Sequence, residues 1–332
     1  MSHEFTSGLL AEPAWHGLGT VDATIATMPA KDAFVRAGAL FPVEKENLWR
    51  GPDAENVQLL EEGKAIIRPD TNKCLGIIRD QNWEVIPNTT LLRFAEMLKD
   101  DCTMNDVIVL AGGRRVAFTA KIKESSLSVV TNDHVEPFIV GYLGHDGKTG
   151  FGGMFTPVRV VCANTMGACQ SHADRGRARQ QFKISHTSNE INQIDDILAG
   201  IDMVRQEFPS VIEDYKLMAE TEMDQDTWRA YLDHIYSADM KPVKTEDGNY
   251  RPGSITDMPR KFNALEAAWQ NGFGSDIPGV KGSVWAGFNA VTEVESSTKR
   301  GKGSQKLGSA LFGVGSNRIQ LAKDKAMELA CV

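Results

Sequence analysis

Residues 137–186 read PFIVGYLGHDGKTGFGGMFTPVRVVCANTMGACQSHADRGRARQQFKISH, and their order decides the fold. The apolar run Phe138 to Leu143 meets a turn signal, His145-Asp146-Gly147-Lys148, and a second β-rich run follows through Phe155 to Val161. That is how a hairpin is written, with Asp146-Gly147 as the reversal. The chain then passes through Cys162-Ala163-Asn164-Thr165 into a small-residue segment, Met166 to Ala173. This segment is expected as a helix packed closely on the sheet, leaving through Arg175, Arg177, Arg179 and Lys183.

The preceding stretch repeats the pattern. Val107 to Leu110, then Gly112-Gly113, then Arg114 to Lys123 predict a second hairpin. Alternation in the returning strand puts Arg115, Ala117, Thr119, Lys121 and Lys123 on one face and Val116, Phe118, Ala120 and Ile122 on the other. One face is therefore apolar and the other partly cationic. Lys64 to Arg68 and Cys74 to Arg79, separated by Pro69-Asp70-Thr71-Asn72, predict a third hairpin, with Leu40 to Trp49 extended before it. Short helices are expected over Pro29 to Ala37, stopped at Gly38, and over Thr90 to Lys99. Trp15-His16-Gly17 near the start reads as a core plug beside a glycine turn.

After residue 186 the pattern becomes helical. Thr187-x-x-Glu190 is a capping box, and Ile191, Ile194, Ile197, Leu198, Ile201, Val204 and Phe208 form one apolar stripe that Pro209 is expected to end. Further helices are expected around Val211 to Met218, Trp228 to Tyr236, Phe262 to Trp269, Val284 to Val294, Gln305 to Phe312 and Arg318 to Leu329. Pro242 to Pro259 has the composition of a linker. The reading is an α+β chain: a core with a central antiparallel sheet over residues 1–186, an acidic helical segment over 187–241, a linker over 242–260 and a helical region over 261–332.

The chain has 332 residues, is 42% hydrophobic and 24% charged, and carries a net charge of −8, which fits a globular protein and excludes whole-chain disorder. The negative charge is concentrated. Thr187 to Met240 holds 13 acidic residues against 3 Lys and Arg, so the rest of the chain is slightly basic. Two basic islands stand out: Arg159 to Lys183, and Lys299, Arg300, Lys302 and Lys306 in a Gly/Ser-rich loop. No run approaches the roughly 18 apolar residues that span a bilayer, and Met1-Ser2-His3-Glu4 has neither the basic n-region nor the apolar h-region expected of a signal sequence. Five scattered cysteines give neither a disulfide framework nor a zinc pattern. A cytoplasmic chain with reduced thiols and no membrane partner is expected.

Catalytic signatures are sparse. His145-Asp146 has the elements of an acid–base pair, but His-Asp-Gly at a hairpin tip is more simply a turn whose Asp caps the backbone. Cys162 followed by Asn164 is the one arrangement resembling a thiol site, and a cysteine at a strand end is more often buried and inert. The glycine runs lack Walker or dinucleotide spacing, and the histidines lack metal-ligand spacing. No catalytic residue, metal or cofactor is assigned.

What remains are basic residues beside aromatic hairpins. Lys and Arg bind phosphates, and aromatic faces stack on single-stranded bases. The candidate contacts are Arg114, Arg115, Lys121, Lys148, Arg159, Asn164, Arg175, Arg177, Arg179, Lys183, Lys299, Arg300 and Lys302, with Phe151 and Phe155 as stacking candidates.

Arg159-Val160-Val161-Cys162-Ala163-Asn164-Thr165 resembles a phage/plasmid-like protein family known as a domain of unknown function. Trp15-His16-Gly17-Leu18-Gly19, His145-Asp146-Gly147, Ser185-His186-Thr187, Asn289 to Glu293 and Phe312-Gly313-Val314-Gly315 extend the resemblance along the chain. Family members often carry an aromatic residue and a His around Val294-Glu295, where this chain has neither. The resemblance implies a mobile-element protein. In outline, residues 106–175 are also similar to the single-strand annealing recombinases of phages, whose β-β-β-α core binds single-stranded DNA as an oligomer. The resulting expectation is a non-catalytic single-stranded DNA-binding and annealing protein that forms a ring or filament of identical subunits. Two alternatives stay open: a module that blocks a host factor with acidic helices imitating DNA, and an enzyme centred on His145, Asp146 and Cys162.

Overall fold

The computed structural model describes residues 5–11, 19–51, 55–79, 82–123, 127–159, 181–186, 199–297 and 314–331. Its centre is an eight-stranded sheet of β1 (Phe5–Leu10), β2 (Thr20–Val21), β6 (Cys102–Leu110), β7 (Arg115–Ile122), β8 (Leu127–Val130), β9 (Asp133–Gly144), β10 (Phe151–Arg159) and β11 (Gln181–Ile184). The strand order is β11-β10-β9-β7-β6-β1-β2, with β8 also on β9. All pairs are antiparallel except β1 with β2. The two hairpins expected from the alternation are the middle of this sheet. The fold is α+β.

The third hairpin forms a separate sheet of β3 (Glu44–Arg50), β4 (Gln58–Arg68) and β5 (Lys73–Ile78). Its outer half is exposed on both strands, where Leu48 faces Leu60 and Trp49 faces Leu59. A two-stranded ribbon of that kind has little stability of its own. Its inner half buries Ile66, Ile67 and Leu75 and is thereby fixed to the main sheet.

Two helices, α1 (Ala30–Arg36) and α2 (Asn88–Met97), cover one face of the main sheet. The alternation of β7 explains why. Val116, Phe118, Ala120 and Ile122 all point into that core, and Phe118 packs against Phe34 and Phe94 with ring centroids 6.1 and 5.4 Å apart. Burial of one such side chain contributes about 2–3 kcal/mol. On the other face of β7, Ala117 and Thr119 are both 1% exposed. The cationic face predicted for this strand is thus covered along its middle, with Arg115 and Lys121 at its two ends.

The helical layer consists of α3 (Ala199–Glu220), α4 (Gln225–Tyr236), α5 (Pro259–Asn271), α6 (Val284–Ser297) and α7 (Val314–Ala330). α3 runs through Pro209, which was expected to end it. Val211, Ile212, Tyr215 and Met218 are all buried beyond that point, and their packing outweighs the roughly 3 kcal/mol that a helix-interior proline costs. The layer joins the sheet at the β8–β9 corner, where Trp285 Nε1 donates to Asp133 Oδ2 at 2.8 Å, and a single hydrophobic core includes residues of both layers.

Residues 242–260, read as a linker, hold a small hairpin of β12 (Val243–Lys244) and β13 (Tyr250–Arg251) and a 3-10 turn over Ile255–Asp257. Asp233 on α4 accepts the Ile255 amide at 2.6 Å and the Ser254 hydroxyl at 3.0 Å. This span is a tied corner of the helical layer. Residues 12–18, 160–180, 187–198 and 298–313 lie outside the described residues, and with them fall Trp15-His16-Gly17, Cys162, Asn164, Arg175, Arg177, Arg179, Lys299, Arg300, Lys302, the helix expected over Met166 to Ala173 and the Thr187 capping box.

Candidate nucleic-acid interface

The turns that end the two central hairpins lie at the same edge of the main sheet, and β5 runs alongside both. Gly112, at φ +72, adopts a backbone conformation that favours glycine, and the Lys73 side chain crosses its Cα so closely that a methyl group there would overlap the ammonium. At the other end of β5, a Cβ on Gly76 would come 2.6 Å from the carbonyl carbon of Asp146. These close approaches seat the outer strand against both hairpin ends.

Asp146 organises the β9–β10 turn. Its Oδ1 accepts the amides of Lys148 at 2.9 Å and Thr149 at 2.7 Å. Oδ2 accepts the Thr149 hydroxyl at 3.0 Å and the Arg115 Nε at 2.9 Å. Burial alone would raise the Asp146 carboxyl, but the Thr149 and Lys148 amides, with the Arg115 guanidinium, outweigh it and hold the group below the usual carboxylate range.

His145 turns away from Asp146. Its Nε2 bonds Asn88 Oδ1 at 2.8 Å, Asn88 Nδ2 donates to the Phe41 carbonyl at 3.0 Å, and the backbone amide of His145 donates to the Arg114 carbonyl at 2.7 Å. Burial first, and then the neighbouring His186, push the imidazole down to about 3, so it is neutral at physiological pH. His186 is also lowered, again mainly by burial. It stacks on Trp83 at 4.4 Å and its Nδ1 bonds the Glu84 carbonyl at 2.8 Å. His145 therefore ties the β9–β10 turn to α2, and His186 ties the chain after β11 to Trp83 and Glu84, and the His145-Asp146 turn reading accounts for the observed bonds.

The expected DNA contacts divide into groups. Arg114 and Lys148 are exposed at the two turns and form no ion pair among the described residues. Arg115 at the same edge is matched by Asp146, with the Arg115 side chain 28% exposed. Lys121 pairs with Glu136 at the opposite end of the sheet, six residues along β7 and roughly 20 Å from Arg115. Arg159 shares that far end, since it lies opposite Val135 on β9, whereas Lys183 lies opposite Gly152 nearer the Arg115 end.

The structure thus brings Arg114, Arg115 and Lys148 together and separates them from Lys121 and Arg159. Phe151 is fully buried, edge-on to Phe94 at 6.0 Å, so its ring belongs to the core and not to a stacking platform. Phe155 lies on β10. Lys73 was missed. It carries no signal of its own in the sequence, because only the packing of β5 against the Gly112 turn brings it beside Arg114.

The described residues contain no cluster of His, Cys, Asp or Glu able to hold a metal ion, and Cys74 and Cys331 are free thiols. No described helix is long and apolar enough to cross a membrane. What the geometry defines is an α+β protein with a basic edge formed by two hairpin turns and an outer strand. The chain belongs to the family described as Domain of unknown function (DUF932), which it matches over residues 77–312. Comparison with curated proteins and with solved structures finds no match.

Proposed function

We propose that this chain is a non-catalytic single-stranded DNA-binding and annealing protein of a phage or plasmid, acting as an oligomer, and that the strand runs along the β5 edge. The observation that carries the reading is the grouping of Lys73, Arg114 and Lys148, from three separate chain segments, on one edge without carboxylate partners among the described residues. Cations left unmatched in this way attract a phosphate backbone and release its counterions on binding. Arg115, held by Asp146, would position the turn and not neutralise a phosphate. The basic residues at 159–183 and 299–302 belong to the same proposal.

Exposed Glu213, Glu220, Glu222, Asp224 and Asp226 on and between α3 and α4 offer an acidic surface for the cations of a second copy, which supports a ring or filament. The test is an annealing assay with two complementary labelled strands, run alongside light scattering on the purified protein. Acceleration of annealing by a large oligomer is expected. A small oligomer without strand affinity would favour the host-factor decoy reading.

A further inference from the structure

A second basic feature lies at the other end of β5. Between the β3–β5 sheet and Trp83 is a cleft of about 280 Å³ lined by Lys45, Glu61, Gly63, Lys64, Ile78, Arg79 and Trp83. Among the described residues, three cations line it against one carboxylate, Glu61. Lys45 is committed, with its ammonium on Glu84 Oε2 at 2.8 Å and on the Trp83 carbonyl at 2.9 Å. Lys64 and Arg79 are exposed and form no ion pair among the described residues. Lys64 on β4 lies opposite Ile78, the last residue of β5, and Arg79 follows where the strand has ended, so both line the cleft.

The walls are shaped for more than a bare anion. Trp83 is 7% exposed and fixed by its stack on the His186 ring. With Ile78 it gives the cleft an apolar part of its lining beside the cations. Gly63 lets the neighbouring strands approach closely beside the cleft, since a Cβ there would press on the Ile78 carbonyl and the Leu48 side chain at 3.2 Å. The volume is close to the lower end of small-ligand sites, about 300 Å³.

We infer that this cleft binds a phosphomonoester joined to a flat or sugar-like group, a nucleotide in chemical class, with Lys64 and Arg79 on the phosphate and Trp83 against the organic part. A dianionic ester supplies three acceptor oxygens, which suit a guanidinium fork and an ammonium together, whereas a carboxylate offers two. Two sources share that chemistry: a free mononucleotide, and the phosphorylated end of a DNA strand. The inference does not depend on strand binding along the edge, because it uses none of Lys73, Arg114 or Lys148.

The experiment is calorimetric titration of the full chain with deoxyadenosine monophosphate, deoxyadenosine, and a thymidine strand of about ten nucleotides carrying either a terminal phosphate or a hydroxyl. Binding of the monophosphate or of the phosphorylated strand, well above its unphosphorylated counterpart, is expected. The Lys64→Ala/Arg79→Ala variant should weaken that binding by about tenfold or more, because two charge-assisted hydrogen-bonding groups are removed, while Lys64→Arg should keep most of it. Both side chains are exposed, so the thermal midpoint should not move, and Arg79→Gln alone gives a second variant with a smaller loss. Preference for the free nucleotide or for the strand end identifies the source. Equal binding of each phosphorylated ligand and its unphosphorylated partner, or an unchanged affinity in the double variant, overturns the inference.

Discussion

Arg115 and Asp146 meet at 2.9 Å across the ends of two hairpins, 31 residues apart in the chain. The pair has two consequences. It aligns the turns that carry Arg114 and Lys148, and it removes Arg115 from the cations free to meet a phosphate. Asp146→Asn should therefore destabilise the fold by about 2–4 kcal/mol in urea denaturation, as expected when one partner of a largely buried pair is removed. Because the folded carboxyl is held below its ordinary value of 3.8, its stabilisation is present above that pH and is lost as the pH falls further. The Asn variant should lack that acid-limb loss.

The histidines act over a different pH window. His145 is lowered from 6.5 to about 3, so between those values the unfolded chain binds a proton that the folded chain refuses. Stability should be complete above about pH 6.5 and fall as the pH drops, by at most about 1.4 kcal/mol per pH unit for this group. Urea midpoints across pH 4 to 7 should show this slope, and His145→Gln should reduce it.

Phe151 distinguishes a core role from a stacking role. Phe151→Ala should cost about 3–5 kcal/mol through the cavity it leaves. The affinity of the folded fraction for an oligonucleotide should stay within about twofold of the parent, where loss of a stacked base would cost about 1–3 kcal/mol.

A further lock is found in the helical layer. Glu295 on α6 accepts Lys261 Nζ of α5 at 2.8 Å, Arg318 of α7 at 3.1 Å and the Tyr236 hydroxyl of α4 at 2.8 Å, with its side chain 7% exposed. Burial alone would raise this carboxyl, but Lys261 and then Arg318 hold it down. Glu295→Ala should cost about 3–5 kcal/mol, measured by urea denaturation, because two cations lose a shared buried partner.

The hairpins and most of the described helices were legible because alternation and helical periodicity are local properties. Phe118 and Val116 could be assigned to the core from period two alone. Pro209 was misleading for the opposite reason: whether a proline ends a helix depends on what the next turn buries, and Tyr215 and Met218 meet their partners only in the folded chain. The candidate site was half legible. Charge and turn chemistry marked Arg114 and Lys148, but no local rule pairs Arg115 with a carboxylate 31 residues away. Nor could spacing bring Lys73 to Gly112, or Glu295 to cations on two other helices, since both depend on tertiary packing.

The central claim is that unmatched cations along the β5 edge hold a single strand. The direct measurement is fluorescence anisotropy of a labelled strand ending in hydroxyl groups, titrated with the parent and with Lys73→Ala/Arg114→Ala/Lys148→Ala over a salt series. Binding should weaken steeply with salt in the parent, and the variant should bind more weakly with a log–log slope shallower by about 2, at roughly 0.7 for each phosphate that is no longer neutralised. An absence of binding by the parent, or a variant with the same affinity and the same slope, would contradict the account.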